Sequence, residues 1–146
     1  ARRVARAVAD AGIAVTAATD MPRRLWAKLA VNAGINAVTA LARVENGALE
    51  SGPGAALAED AARETARVAR EQGVDLPDER ATDLVRRVAS DTADNRSSML
   101  QDVDAGRRTE VDAINGYVVD AAAEPVPVNR TLARLIRTKE QKRANR

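Results

Sequence analysis

The chain has 146 residues, 23 basic and 21 acidic, with a formal net charge of +2, and such a length supports one domain with its own core. Cysteine and histidine are both absent. That excludes disulfides, thiolate nucleophiles, imidazole bases and the usual zinc ligands, so no metal site is expected and proton chemistry falls to Lys, Asp, Glu or Tyr. The charges are interspersed and the aromatics reduce to Trp26 and Tyr117, which argues against a nucleic-acid footprint and against base-stacking platforms.

Residues 2–11 read as a short helix ended by Gly12, and residues 13–19 alternate like a strand. A single strand cannot stand alone, so this one is expected to be the last strand of a sheet whose remainder lies elsewhere. Arg2, Arg3 and Arg6 precede no uninterrupted apolar run, so no signal peptide is expected. Asp20 with Pro22 opens a long helix that runs to about Ala42. Its stretch from Leu25 contains Lys28, Asn32 and Asn36, which makes it a poor membrane span. A soluble cytoplasmic protein is the default expectation.

Asn46-Gly47 marks a turn and residues 51–54 a loop. A helix over 55–72 carries Leu57, Ala61, Thr65 and Val68 at helical spacing and stops at Gly73. Leu76-Pro77-Asp78 opens a helix to about Ala93. Residues 97–105 form a short helix ended by Gly106. Thr109-Glu110-Val111-Asp112 resembles a capping box and opens a helix to about Ala123. Pro125-Val126-Pro127 is an extended connector, and residues 130–143 form a last, basic helix. The expected architecture is all-α after residue 20.

The first long helix has an unusual distribution of polarity. Lys28 is the only charge between Leu25 and Ala42. On a regular helix Asn32, Asn36 and Thr39 fall about 40°, 80° and 20° from it. Apolar residues fill most of the remaining circumference, so the helix is expected to be buried and its polar stripe to line a cleft or a polar interior. One reading is that Lys28 snorkels to solvent while the asparagines satisfy backbone groups. The other is a functional lysine, whose partial desolvation lowers its pKa so that it donates a proton near neutral pH.

Two further positions stand out. Asn95 and Ser98 sit beside a helix N-terminus, where backbone N–H groups favour an anion, although simple capping by Asn95 or Ser97 is the commoner fate of such residues. On a regular helix Glu110 shares a face with Ile114, Tyr117 and Ala121, all within about 40°, whereas Asp112 points the other way. Glu110 on an inward face needs a cation or a ligand donor. Arg107 or Arg108 could serve as a structural partner.

Four stretches, residues 25–41, Asn46-Gly47, residues 92–103 and residues 106–117, together resemble the C-terminal helical domain of ketopantoate reductases, of the 6-phosphogluconate-dehydrogenase-C-terminal-like type. The resemblance implies NADPH-dependent reduction of 2-dehydropantoate to pantoate, a step of pantothenate biosynthesis. It implies that Lys28 is the proton donor. Asn32 and Asn36 hold the reacting oxygen and the substrate, and Asn46, Asn95 and Ser98 make further substrate contacts. Glu110 binds the substrate hydroxyl. The family begins with a dinucleotide-binding domain bearing a glycine fingerprint, and no G-x-G-x-x-G occurs here. Residues 1–20 are thus expected to be the tail of that domain and residues 21–146 the helical substrate and catalytic domain, inactive alone. Residues 121–129 look shorter than the usual connector. The partners implied are a 2-oxoacid substrate, a nucleotide-binding domain in the same or another chain, and a second copy of the chain in a homodimer. Nucleic acid and membrane are not expected partners. A related 2-oxoacid reductase and a non-catalytic helical dimerisation module are the alternatives; the set Lys28, Asn32, Asn36, Ser98 and Glu110 argues against the latter.

Overall fold

The computed structural model describes residues 20–144, and these are helical with no strand among them. The helix and strand expected over residues 2–19 lie outside the described residues. We number the helices α1 (Met21–Ala42), α2 (Gly52–Glu71), α3 (Asp78–Asp91), α4 (Ser98–Ala105), α5 (Tyr117–Ala121) and α6 (Pro127–Ala144), with a 3₁₀ turn at Asn46–Leu49 and a π-helical turn at Asp112–Gly116. The all-α expectation holds for this region.

α1 is the central element, and α2, α3, α4 and α6 all pack on it. It starts at Asp20 with Pro22 in its first turn, although the Asp20 carboxylate accepts from Arg24 rather than from the helix backbone. It ends where Arg43 adopts a left-handed conformation, φ 60°. With almost no aromatic bulk, the core is built by close backbone approach. Ala30, Ala33, Ala37 and Ala40 of α1 are fully buried, and α1 packs on an alanine-rich α2. Gly34 sets the separation: a Cβ there would lie 2.6 Å from the Ala58 carbonyl oxygen. Leucine, isoleucine and valine from α3, α4 and α6 fill the spaces around this seam. By length and composition α1 could cross a membrane, yet 56% of its apolar window is buried inside this fold.

The expected helices recur with small changes of boundary and one change of kind. Leu57, read as an apolar-face residue of α2, is exposed, whereas Ala61, Thr65 and Val68 are buried. α6 begins at Pro127, three residues earlier than expected, because the Glu64 carboxylate of α2 accepts the Val128 and Asn129 N–H groups, both at 2.9 Å. That carboxylate does the work of a cap from a distant helix. The segment 110–123 is not one regular helix. Its first turn is widened, with the Gly116 N–H donating to the Val111 carbonyl, the i→i+5 pattern of a π turn. Thr109 does not close a capping box either: its hydroxyl accepts from Val111 N–H at 3.2 Å.

Candidate active site

α1 carries its polar stripe from solvent into the core. Lys28 is exposed, Asn32 is half-buried, and Asn36 and Thr39 are buried. The desolvation expected of Lys28 is therefore not supplied by this domain, although its neighbours Trp26, Ala27 and Leu29 pack partly against the core. At the buried end the Thr39 hydroxyl lies 2.8 Å from the Ile35 carbonyl and 2.7 Å from Ser97 Oγ. Ser97 Oγ in turn accepts the Leu100 N–H at 3.1 Å and is the N-cap of α4. The stripe is thus moored to the N-terminus of α4. Ser97, weighed from sequence as an ordinary cap, is one, and it also ties the two elements together.

Asn46 and Asn95 meet through the backbone. The Asn46 N–H donates to the Asn95 carbonyl at 3.0 Å, and the Gly47 N–H to the Ala93 carbonyl at 2.9 Å. Gly47 permits this approach, since a Cβ there would sit 3.1 Å from the Ala93 oxygen. Asn46 is buried; its Nδ2 donates to Thr92 Oγ1 at 2.9 Å, while the Thr92 proton goes to the Val88 carbonyl at 2.6 Å. That proton count fixes the amide orientation. It leaves Asn46 Oδ1 buried with no partner among the described residues, an acceptor available to a ligand hydroxyl or ammonium. The Asn95 and Ser98 side chains are exposed, and Ser98 is the first residue of α4.

Glu110 departs from its expected placement. It is exposed, as is Tyr117, while Val111, Ile114, Asn115 and Val118 point inward. The π turn changes the angular advance per residue, so a phase counted at regular α spacing fails across it. The structural partners considered for Glu110 are occupied elsewhere. Arg107 pairs with Asp102 at 2.7 Å and Arg108 with Asp112 at 3.0 Å. Among the described residues Glu110 forms no ion pair, with Lys28 or with any arginine. Asp112, which regular phase points away from the Glu110 face, joins Arg137 of α6 at 2.7 Å as well as Arg108. Arg137 first, and then Arg108, hold its carboxyl below the ordinary aspartate value.

Sequence reasoning missed a buried amide network behind these residues. Asn115 Nδ2 donates to the Ala33 carbonyl of α1 at 3.1 Å and to Asn129 Oδ1 at 3.0 Å. Asn129 Nδ2 donates to the Ala61 carbonyl at 3.0 Å and to Glu64 at 2.9 Å. Both asparagines are fully buried. The available signal was polar residues inside otherwise apolar segments, which regular helical phase hid. Along the outer side of α1, Pro22, Leu25, Trp26, Leu29, Ala113 and Tyr117 line an open apolar groove of about 450 Å³, with the Trp26 and Tyr117 rings 5.8 Å apart.

Residues 20–140 match the family model for "Ketopantoate reductase PanE/ApbA C terminal". The chain is 46% identical over 138 residues to the 2-dehydropantoate 2-reductase of Halobacterium salinarum, covering 92% of this chain and 45% of that protein. It is 43% identical over 141 residues to that of Archaeoglobus fulgidus, covering 94% and 47%. It thus spans about half the length of the curated relatives it matches. Among solved structures it resembles a PanE/ApbA family ketopantoate reductase from Ralstonia eutropha, with a TM-score of 0.85, 37% identity, and 98% of this chain and 49% of that one covered. The D-mandelate dehydrogenase solved as a ternary structure with NADH shares the fold, with a TM-score of 0.88, 20% identity, and 99% and 82% covered. The chain belongs to the ketopantoate reductase family, of which it is the C-terminal helical domain.

Proposed function

We propose that this chain is the substrate-binding and catalytic half of an NADPH-dependent cytoplasmic reductase that converts 2-dehydropantoate to pantoate. The observation that carries the reading is the α1 stripe. It runs from an exposed ammonium at Lys28, past Asn32 and Asn36, to the seam where Ser97 and Ser98 start α4, beside the unpartnered Oδ1 of Asn46. Such an array offers a proton donor, neutral amides and an anion-favouring helix end in a single strip, which is what a 2-oxoacid requires.

The described residues offer no dinucleotide cradle. Gly52 and Gly54 open α2 after a 3₁₀ turn rather than after a strand, and a Cβ on Gly54 would meet Leu49, not open space. Cofactor binding is therefore assigned to a separate nucleotide-binding domain, whose NADPH would supply the hydride to the keto carbon. In this reading residues 1–20 are the tail of that domain. This chain's own share is binding and protonation. Ser98 and the α4 N–H groups take the substrate carboxylate, and Asn32 and Asn36 hold the keto oxygen. Lys28 Nζ gives its proton to that oxygen as it becomes a hydroxyl and is reprotonated from water. Asn46, Asn95 and Glu110 receive the substrate's hydroxyl end.

The test is steady-state reduction of 2-dehydropantoate by the chain joined to a family nucleotide-binding domain. A positioned acid contributes about 10²–10⁴-fold, so Lys28→Met is expected to lower kcat by that order with little change in NADPH affinity. Near-parental kcat in that variant would show that Lys28 only snorkels.

A further inference from the structure

Glu110 lies exposed on a loop and forms no ion pair among the described residues, so something else must set its position. The sequence around it supplies no local anchor, since Arg107 and Arg108 are committed to Asp102 and Asp112. The anchor lies at the far side of the turn. The Ile114 N–H donates to the Glu110 carbonyl at 3.0 Å, and the Gly116 N–H to the Val111 carbonyl at 2.9 Å. Between those two donors sits Asn115, fully buried. A regular α turn would place residue 115 about 100° around from residue 114. The π turn instead brings both residues inward, and π turns in otherwise regular helices recur at functional sites.

The side-chain contacts show what this widening achieves. Asn115 Nδ2 reaches the carbonyl of Ala33, the residue that directly follows Asn32 and lies between Asn32 and Asn36 in α1. A second bond ties the same amide to Asn129, which is itself fixed by Ala61 and Glu64 of α2. In this buried chain both Nδ2 groups are engaged, although Asn115 Oδ1 has no partner among the described residues, and breaking a link strands a desolvated donor or acceptor. We infer that Asn115 is a positioning residue for the reductase reaction: through the π turn it fixes the register of Glu110 against the Lys28–Asn32–Asn36 face of α1. This inference rests on the reading given under Proposed function, and it assigns Asn115 no contact with substrate.

The experiment uses the complete reductase, with Asn115→Leu as the near-isosteric variant that removes the donor and Asn115→Ser as a smaller polar variant should the leucine protein not fold. Val118→Ala, at another fully buried position two residues from the π turn, supplies a matched loss of stability. Two readouts are taken. In hydrogen exchange, the Ile114 and Gly116 amides are expected to exchange at least about tenfold faster in the Asn115 variants than in the parent or in Val118→Ala. In kinetics, kcat/KM is expected to fall by up to about 100-fold, the order associated with misplacement of a reacting group by about 1 Å, while Val118→Ala stays near the parent. The same Asn115 substitution in a Glu110→Gln background is expected to cost less than about twofold more, because the two residues act as one unit. Unchanged protection of both amides in a folded variant overturns the inference, and so do losses that multiply in the double variant. A parent enzyme that does not reduce 2-dehydropantoate overturns the reductase reading, and with it the kinetic role, while the exchange result still decides whether Asn115 holds the turn.

Discussion

Replacing Gly34 by alanine tests the claim that α1 and α2 are held together by backbone proximity. A Cβ at Gly34 would stand 2.6 Å from the Ala58 carbonyl oxygen, 3.3 Å from its carbon and 3.3 Å from Val85 Cγ2. The first two neighbours are backbone of a helix that is itself buried, so neither can rotate away; α2 must move as a unit. Forcing an extra methyl into a packed seam costs about 1–3 kcal/mol, and a clash with backbone belongs at the upper end. Alanine recovers about 0.5–1 kcal/mol relative to glycine in a helix interior. The net loss is then about 2 kcal/mol, or a fall in Tm of about 4–8 °C for a chain of this size. Gly54→Ala is the control. Its Cβ would meet Leu49 Cδ2 at 2.9 Å, the far end of a side chain that can turn, so a Tm within about 2 °C of the parent is expected. The assay is thermal unfolding followed by circular dichroism, with both variants measured beside the parent. A Gly34→Ala protein that melts with the parent would refute the argument that this glycine sets the helix separation.

Glu110→Gln is expected to lower kcat/KM strongly, since a charge-assisted hydrogen bond is worth roughly twice a neutral one; Asp112→Asn should leave the kinetics near the parent, and an equal or larger loss for Asp112→Asn would show that the wrong carboxylate was assigned. Asp112 should instead reveal itself through pH. Its folded pKa is depressed by Arg137 and Arg108, so its contribution is present above the ordinary aspartate value of about 3.9 and disappears as pH falls through the lower folded value. The difference in Tm between the parent and Asp112→Asn should therefore be present at about pH 7 and shrink towards zero by about pH 2; a gap that stays constant across that range would remove the ion pairs from the account.

How much of this was legible in the sequence depended on whether the cause was local. Gly73 and Gly106 end helices in left-handed conformation, φ 78° and 72°, and only glycine takes that cheaply, so those boundaries could be read directly. The start of α6 could not be, because the acceptor that satisfies Val128 and Asn129 is a glutamate more than sixty residues away. The same holds for the segment after Thr109. A capping-box pattern and apolar periodicity both favoured a regular helix there, whereas the observed π turn is supported by a hydrogen bond that the Asn115 Nδ2 donates to the Ala33 carbonyl of α1, 82 residues apart in sequence. Long-range hydrogen bonds outweigh local propensity at both places, and a pattern counted at 100° per residue carries no information about them.

The candidate site divides along the same line. Its lower end, from Asn36 and Thr39 to Ser97 and Asn46, is buried and hydrogen-bonded by this domain alone, and the one-face stripe on α1 anticipated it. Its upper end was anticipated less well, because apolar composition around Lys28 was taken to mean burial. Met21 is 50% exposed and Leu25 60% exposed, while Trp26, Ala27 and Leu29 are only partly buried against the core, so the apolar residues near Lys28 mark an incompletely covered helix end. Lys28 is itself exposed, and an exposed ammonium gains little as a directed proton donor compared with one in a dry site. If Lys28 is the acid, then whatever covers Leu25 and Tyr117 must also dry the lysine. Proton donation and nucleotide-domain docking would then be one event: docking would desolvate the ammonium from above, while the buried Asn36 and the Thr39–Ser97 bond lie below it.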